Sequence, residues 1–447
     1  MRRMGCPKSW VECQTKALRG MKHAIRTSFG ITKEVISNDG ENNLGGIGQG
    51  AGNGPSSWHS HMLPLIDAFE ELIPHRATFI SPDEKFIISQ WLIGFVDDNT
   101  IIFTMKDTHF KATIEEKLME MADEVLDTWQ KLVVITGGEI ELDKSSISVM
   151  TWEKKKGREQ LKKEPVENNN LVMKSVKVPG YSEAVDQLEI CHGERLLGVR
   201  LAMDGNDDDE FQWRKDQVEE LASKIKVGPP TREDAEIIYR ERWVSSVGYC
   251  LPVTQFTEEQ CNELMVPFYK AILPKLGFNR HLPKAVRYGP KKFNGKGLVH
   301  LAVHQHAKHL EWFVSEIRKE SQLGKVLKVQ MDKQQMMIGS EKHFLTMAST
   351  DIPYSEPSRI QFLWEENTKR GVTIQLASAW RQRPLREGDR AVMDIFREAG
   401  YDKEKLEILN DVRLYLHVTY ISCMANARGD RIERWALFGP PQESALH

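Results

Sequence analysis

Apolar residues recur at three- and four-residue steps from Trp58 to Ile73 (Met62, Leu65, Ile66, Phe69, Leu72) and again from Ile114 to Leu132 (Leu118, Met121, Val125, Trp129). That spacing puts each set on one face of a helix. The first helix follows a glycine-rich loop with Pro55 at its opening turn, and the second runs to the stop signal Gly137-Gly138. Between them, residues 86–95 and 100–104 are rich in Ile, Phe and Val and flank V-D-D-N. This predicts a β-hairpin with Asp97 and Asp98 at its tip. The alternating stretch E-I-E-L-D-K-S-S-I-S-V-M (139–150) predicts a strand, the charged run 153–170 a solvated loop, and L-L-G-V-R-L (196–201) a short strand and turn. Beyond Asp204 the pattern becomes helical over 212–226, 232–246, 257–276 and 298–319, with G-P-P at 228–230 and Pro252 as breaks. The expected fold class is α+β, an antiparallel sheet with helices on one face, followed by a mostly α-helical region. Three regions are expected: 1–205, 206–328, and a C-terminal 329–447 with no assigned function.

Composition changes this picture in one place. With 40% hydrophobic and 28% charged residues and a net charge of -3, the chain has globular rather than fibrous or disordered character. The near-neutral sum conceals a local imbalance. Between Glu263 and Glu311 there is no acidic residue, while Lys270, Lys275, Arg280, Lys284, Arg287, Lys291, Lys292, Lys296 and Lys308 fall there, interleaved with Tyr269, Phe278, Tyr288 and Phe293. Basic groups track phosphates and aromatic rings stack on bases, so Lys284, Arg287, Lys291, Lys292 and Lys296 are candidate nucleic-acid contacts. The competing explanation is a solvated helical face over core aromatics. His300, His304, His306 and His309 have no Asp, Glu or Cys close by to complete a metal site, which favours packing or phosphate contact. Six scattered cysteines without a C-x-x-C pair, a start without an apolar leader core, and no apolar run of about 20 residues predict an intracellular protein without a membrane span. Nucleus and cytoplasm both stay open.

The candidate chemistry centres on Asp97 and Asp98. Neighbouring carboxylates repel and are costly to bury, so a pair held between strands calls for water, a cation or a turn. Successive Cβ atoms on a strand point to opposite faces, so at least one of the two can face a cleft. Such hard oxygen donors suit Mg²⁺. A polar surface turn is the plain alternative. Upstream, G-G-I-G-Q-G-A-G-N-G-P (45–55) contains a match to G-x-G-x-x-A, but the residues before it are polar rather than a buried strand, and no Gly-Lys-Ser/Thr follows. Glycines there suit close backbone approach by a flat or charged ligand, or a flexible linker. A dinucleotide-binding oxidoreductase is a third reading of the loop.

Taken in order, G-I-G-Q-G-A-G-N-G-P with its helix, then F-V-D-D, then a helix, then G-G-E-I-E-L-D-K, then L-L-G-V-R-L, the chain resembles the palm of reverse transcriptases of non-long-terminal-repeat retroelements. The likeness extends more loosely through R-W-V-S-S-V-G-Y-C-L-P-V-T-Q-F and G-P-K-K-F-N-G-K-G-L-V-H-L, which are similar to the thumb-side segment of such elements. The resemblance implies a polymerase palm and thumb-like region, an RNA template, a DNA primer, deoxynucleotide triphosphates, and Mg²⁺ or Mn²⁺. It implies Asp97 as the main metal ligand with Asp98 in support, Phe95 and Val96 near the primer end, Gln49 and Gly50 beside template and nucleotide, and Lys144 as the group that protonates departing pyrophosphate. An exposed strand-end lysine is the other account of Lys144. Members of the family carry a further metal-binding aspartate upstream of the glycine loop; here the only aspartate before Gly45 is Asp39, in a polar segment. The expectation is therefore an N-terminally truncated, impaired polymerase, with a non-catalytic nucleic-acid-binding remnant as the alternative.

Overall fold

A computed structural model describes residues 7–19, 22–23, 26–27, 30–31, 36–37, 54–73, 75–95, 98–105, 114–136, 138, 140–155, 158–164, 171–174, 180–377 and 379–433. Among the described residues helix, at 53%, outweighs strand, at 11%, and the strands pair two by two, nearly always antiparallel, rather than in one larger sheet, so the fold class is compatible with α+β. The chain forms two compact units. One comprises residues 1–77, 89–147 and 166–187, the other 78–88, 148–165 and 188–447.

The first unit holds helices α1 (Lys8–Arg19), α2 (Gly54–Leu72) and α3 (Ile114–Ile135), with strands β1 (Leu92–Phe95) and β2 (Asp98–Ile101) between α2 and α3. Most of the two apolar stripes expected from the sequence lie in its core, but Leu72 does not: it is exposed, and its neighbour Ile73 is buried instead. Met62, Leu65 and Phe69 from the first stripe, with Ile73, meet Val125 and Trp129 from the second, and Trp91 closes over them. Phe69 lies 5.2 Å from the Trp91 ring and 5.1 Å, edge-on, from Trp129. Burying such a phenyl ring completely contributes about 1.5–3 kcal/mol. The hairpin sits on this core through Leu92 and Ile101, and its antiparallel pairing runs from Leu92↔Ile101 to Phe95↔Asp98. A second small cluster of Ala122, Leu171, Met173 and Val185 flanks α3.

Three sequence expectations change here. The stretch 86–95 is two strands, Ile87–Ser89 and Leu92–Phe95, broken at Gln90, whose N–H donates to the Ala77 carbonyl at 2.8 Å. The alternating 139–150 stretch folds as a 3₁₀ turn over Leu142–Lys144 and a two-residue strand, Ser146–Ile147. There the Ser145 hydroxyl donates to the Glu141 carbonyl at 2.8 Å, a local bond that competes with a ladder. In the second unit the charged run pairs Trp152–Lys155 antiparallel with Arg158–Leu161. Charge argues for solvent exposure but not against backbone pairing.

The second unit continues with β3 (Glu194–Leu196) and β4 (Val199–Leu201), then α4 (Asp208–Val227), α5 (Arg232–Ile237), α6 (Ser245–Cys250), α7 (Glu258–Lys275), α8 (Lys284–Tyr288), α9 (Leu301–Ile317), α10 (Gln322–Ile338), α11 (Arg359–Lys369), α12 (Val392–Glu398) and α13 (Lys403–Tyr415). Thr231 and Thr257 open α5 and α7 with reciprocal capping boxes to Asp234 and Gln260. Between α5 and α6 the expected single helix widens into a π-helical segment, Ile238–Val244. One core gathers Trp243, Leu264, Met265, Phe268 and Leu301, with Trp243 and Phe268 stacked at 4.4 Å. Another, built on Phe313, Phe344, Leu363, Trp364 and Met393, holds the C-terminal helices.

Candidate nucleic-acid interface and the acidic hairpin

At the acidic hairpin the ladder ends on Phe95↔Asp98, so Asp98 is the first residue of the returning strand and Val96 and Asp97 form the two-residue link. Asp98 is exposed, and its carboxylate is engaged by no hydrogen bond or ion pair among the described residues. The Asp98 carboxylate is a hard oxygen donor of the type Mg²⁺ takes, and it is the one of the two expected ligands that falls among the described residues. Val96, Asp97, Gln49 and Gly50 lie outside the described residues, as does the Phe95 side chain. Lys144 ends the 3₁₀ turn Leu142–Lys144 and is exposed. Asp98 and Lys144 share no hydrogen bond or ion pair among the described residues, so these two are not brought into direct contact.

The L-L-G-V-R-L segment is a tight hairpin. Its turn, Leu197-Gly198, has φ of 49° and 89°, the paired left-handed conformations of a two-residue β-turn. It is fastened to α4 by two charged residues that sequence reading missed. Glu210, fully buried, accepts from the Arg200 N–H at 2.8 Å and from Arg214 Nε at 2.6 Å. Arg214 donates to the carbonyls of Ser246 (2.9 Å) and Gly198 (3.3 Å). Its guanidinium and that of Arg200 lie 4.4 and 4.6 Å from the Trp213 ring centroid. The available signal was the Glu-to-Arg spacing of four residues on a helix. Just before β3, ligand-capable atoms of Glu189, Cys191 and His192 lie within 4.8 Å of one another. Asp209 accepts from the Gly193 N–H at 2.7 Å and faces His192 Nδ1 at 3.3 Å. The backbone N–H bond, then His192, holds the Asp209 carboxyl below its ordinary range.

The basic segment is a constructed loop. Gly289 and Gly295 touch backbone to backbone, since a Cβ at Gly295 would overlap the Gly289 carbonyl and one at Gly289 the Ala285 carbonyl. The N–H groups of Lys296, Gly297 and Leu298 donate to the carbonyls of Val286 (2.8 Å), Gly289 (2.9 Å) and Arg287 (3.0 Å). These bonds zip the returning segment onto α8. Lys284, Lys291 and Lys292 are exposed, and none pairs with a carboxylate among the described residues. Lys296 turns back so that its Nζ lies 4.8 Å from the Phe278 ring centroid. Arg287 is partly buried, over Tyr269 and Tyr288 at 5.3 and 5.6 Å, and donates to the Leu282 carbonyl at 3.0 Å. Its position braces the loop from below.

The histidines divide. His306 and His309 are buried, with Nε2 atoms 2.7 Å from Asn367 Oδ1 and 2.9 Å from the Leu251 carbonyl. His300 is the N-cap residue of α9 rather than part of the helix. Burial keeps the His300 and His304 imidazoles below their ordinary pKa. Packing accounts for the two buried rings. No helix among the described residues is long and apolar enough to cross a membrane. No protein-family model matches the chain, and no curated protein matches it.

Proposed function

We propose that this chain is a reverse-transcriptase-like protein of retroelement type that performs RNA-templated DNA synthesis from a DNA primer. The observation that carries this reading is the register of the β1–β2 hairpin. The ladder closes on Phe95↔Asp98, which puts an exposed carboxylate at the end of the hairpin, and the hairpin packs on a two-helix core through Leu92 and Ile101; this supports reading F-V-D-D as the catalytic turn. Asp97 and Asp98 would hold Mg²⁺ or Mn²⁺, which supplies charge neutralisation for the attacking 3′-hydroxyl and the departing pyrophosphate when bound. Phe95 and Val96 would back the primer end, Gln49 and Gly50 would adjoin template and nucleotide, and Lys144 would donate the proton to pyrophosphate. The fold assigned to residues 1–205 is then a polymerase palm, with 206–328 as a thumb-like, nucleic-acid-binding region.

A second reading, a nucleic-acid-binding protein without catalysis, is favoured by the loop Lys284–Lys296. Lys284, Lys291, Lys292 and the exposed Phe293 ring are displayed without carboxylate partners among the described residues, whatever the hairpin does. Primer extension on an RNA template with the full chain, in Mg²⁺ and in Mn²⁺, separates the two. Incorporation that Asp97→Ala and Asp98→Ala reduce to background supports the polymerase. Salt-sensitive strand binding with no incorporation leaves the binding protein, and absence of both rejects each.

A further inference from the structure

Phe293 ends the 3₁₀ turn Lys291–Phe293 and is 73% exposed. A single exposed apolar side chain is ordinary on a protein surface. This one is displayed by a loop built to hold it. Its own N–H donates to the Pro290 carbonyl at 2.9 Å, the next residue, Asn294, is left-handed with φ 62°, and the Gly289–Gly295 contact closes the base. Lys292 Nζ lies 4.8 Å from the ring centroid, over one face. Of the five basic residues on the loop, Lys296 and Arg287 are turned toward Phe278, Tyr269 and Tyr288, which leaves Lys284, Lys291 and Lys292 available to phosphates. A rigid aromatic with a cation beside it suits an unpaired nucleobase, whose face stacks on the ring while its phosphate meets the ammonium. In a duplex each base face is already covered by its neighbours, so the ring has nothing to stack on and only the lysines contribute.

We propose that Phe293 is a base-stacking residue and that this loop binds single-stranded nucleic acid in preference to duplex. The proposal rests on the reading above that the chain handles nucleic acid. It goes further in naming the strand form bound and the residue that selects it. The geometry also gives each residue a separate share: lysines supply affinity for any strand, and the ring supplies discrimination.

The test is fluorescence anisotropy with the full chain and labelled oligonucleotides of about 16 residues, single-stranded DNA and RNA against the matched duplex. Phe293→Ala is expected to weaken single-strand binding about 5- to 150-fold, the effect of losing one base–aromatic stack, while duplex binding changes less than about twofold. Phe293→Tyr, which keeps a stacking face, is expected to restore single-strand binding, whereas Phe293→Leu, equally apolar, is not. Lys291→Ala with Lys292→Ala is expected to weaken both forms alike. The proposal is overturned if Phe293→Ala leaves single-strand affinity unchanged, or lowers single-strand and duplex affinity by the same factor, while the lysine variant still weakens binding. That pattern spares the nucleic-acid reading. Wild-type chain that binds neither form overturns both.

Discussion

Gly295 shows how a single residue governs the basic loop. Its φ is ordinary, and glycine is needed for room: a Cβ there would overlap the Gly289 carbonyl, where only backbone can yield. Gly295→Ala must therefore open the loop base and break the bonds from Lys296 and Gly297 that hold it. Overpacking of this kind costs about 1–3 kcal/mol, enough to disorder a surface loop without unfolding the unit beneath it. The expected outcome is a far-UV circular dichroism spectrum like that of the wild type together with single-strand affinity as poor as that of Phe293→Ala. Wild-type affinity in Gly295→Ala would show that loop rigidity has no part in binding. At this scale the sequence was partly legible. The absence of acid between Glu263 and Glu311 pointed to the lysines, but nothing local to Phe293 distinguished it from Phe268, which is fully buried in the core. Burial of a ring depends on partners far away in sequence, which residue type and spacing do not encode.

Among elements, the β3–β4 hairpin and α4 depend on one buried ion pair. Glu210 and Arg214 have side chains 0% and 4% exposed, and their remaining polar atoms are used by Arg200, Gly198 and Ser246. Removing one partner leaves the other charge buried without compensation, which costs about 3–5 kcal/mol. Replacing both with apolar residues of similar size removes the desolvation cost along with the attraction. Glu210→Ala is thus expected to shift the urea midpoint far more than the double variant Glu210→Leu/Arg214→Met, and a single variant costing under about 1 kcal/mol would refute the tether. The elements best read from sequence were those with long apolar periods. Helices α2, α3, α4, α7 and α9 lie close to their expected bounds because a core stripe repeats over several turns. Short strands were read less well. The 139–150 stretch alternates like a strand, but local hydrogen bonding by Ser145 won over two or three alternations. The D-D hairpin was legible because two apolar runs and a turn signal agreed, whereas the tether between β3–β4 and α4 joins residues ten or more apart and left no periodic trace.

Over the molecule as a whole, four partly or fully buried titratable groups of opposite tendency act in the same acid window. Burial, reinforced by Arg359, pushes His309 down to about 4, and burial beside Arg381 does the same to His343. Burial also raises Asp207 to about 6, and burial with Asp83 nearby raises Asp332 to about 6. A histidine whose folded pKa is depressed stays neutral in the fold while the unfolded chain takes up its proton near 6.5, so stability is lost as pH falls from 6.5 toward 4. A raised aspartate works the other way. The folded state takes up its proton near 6, before the unfolded chain does near 3.8, so stability is gained over almost the same window. Two protons on each side cancel, and these four groups together leave stability nearly level between pH 4 and 6.5. Removing only the histidines exposes the aspartates. His309→Gln can keep the bond to the Leu251 carbonyl, and His343→Asn can keep the acceptor for the Leu345 N–H. Urea unfolding of this double variant and of the wild type at matched pH gives a difference profile free of the surface carboxylates common to both. That difference is expected to rise in favour of the variant as pH falls from 6.5 to 4, with a slope of up to about 1.4 kcal/mol per pH unit for each histidine removed. A flat difference across this window would refute the depressed values and mean that His309 and His343, despite their burial against Phe362 and Phe344, titrate in the folded chain as they do in the unfolded one.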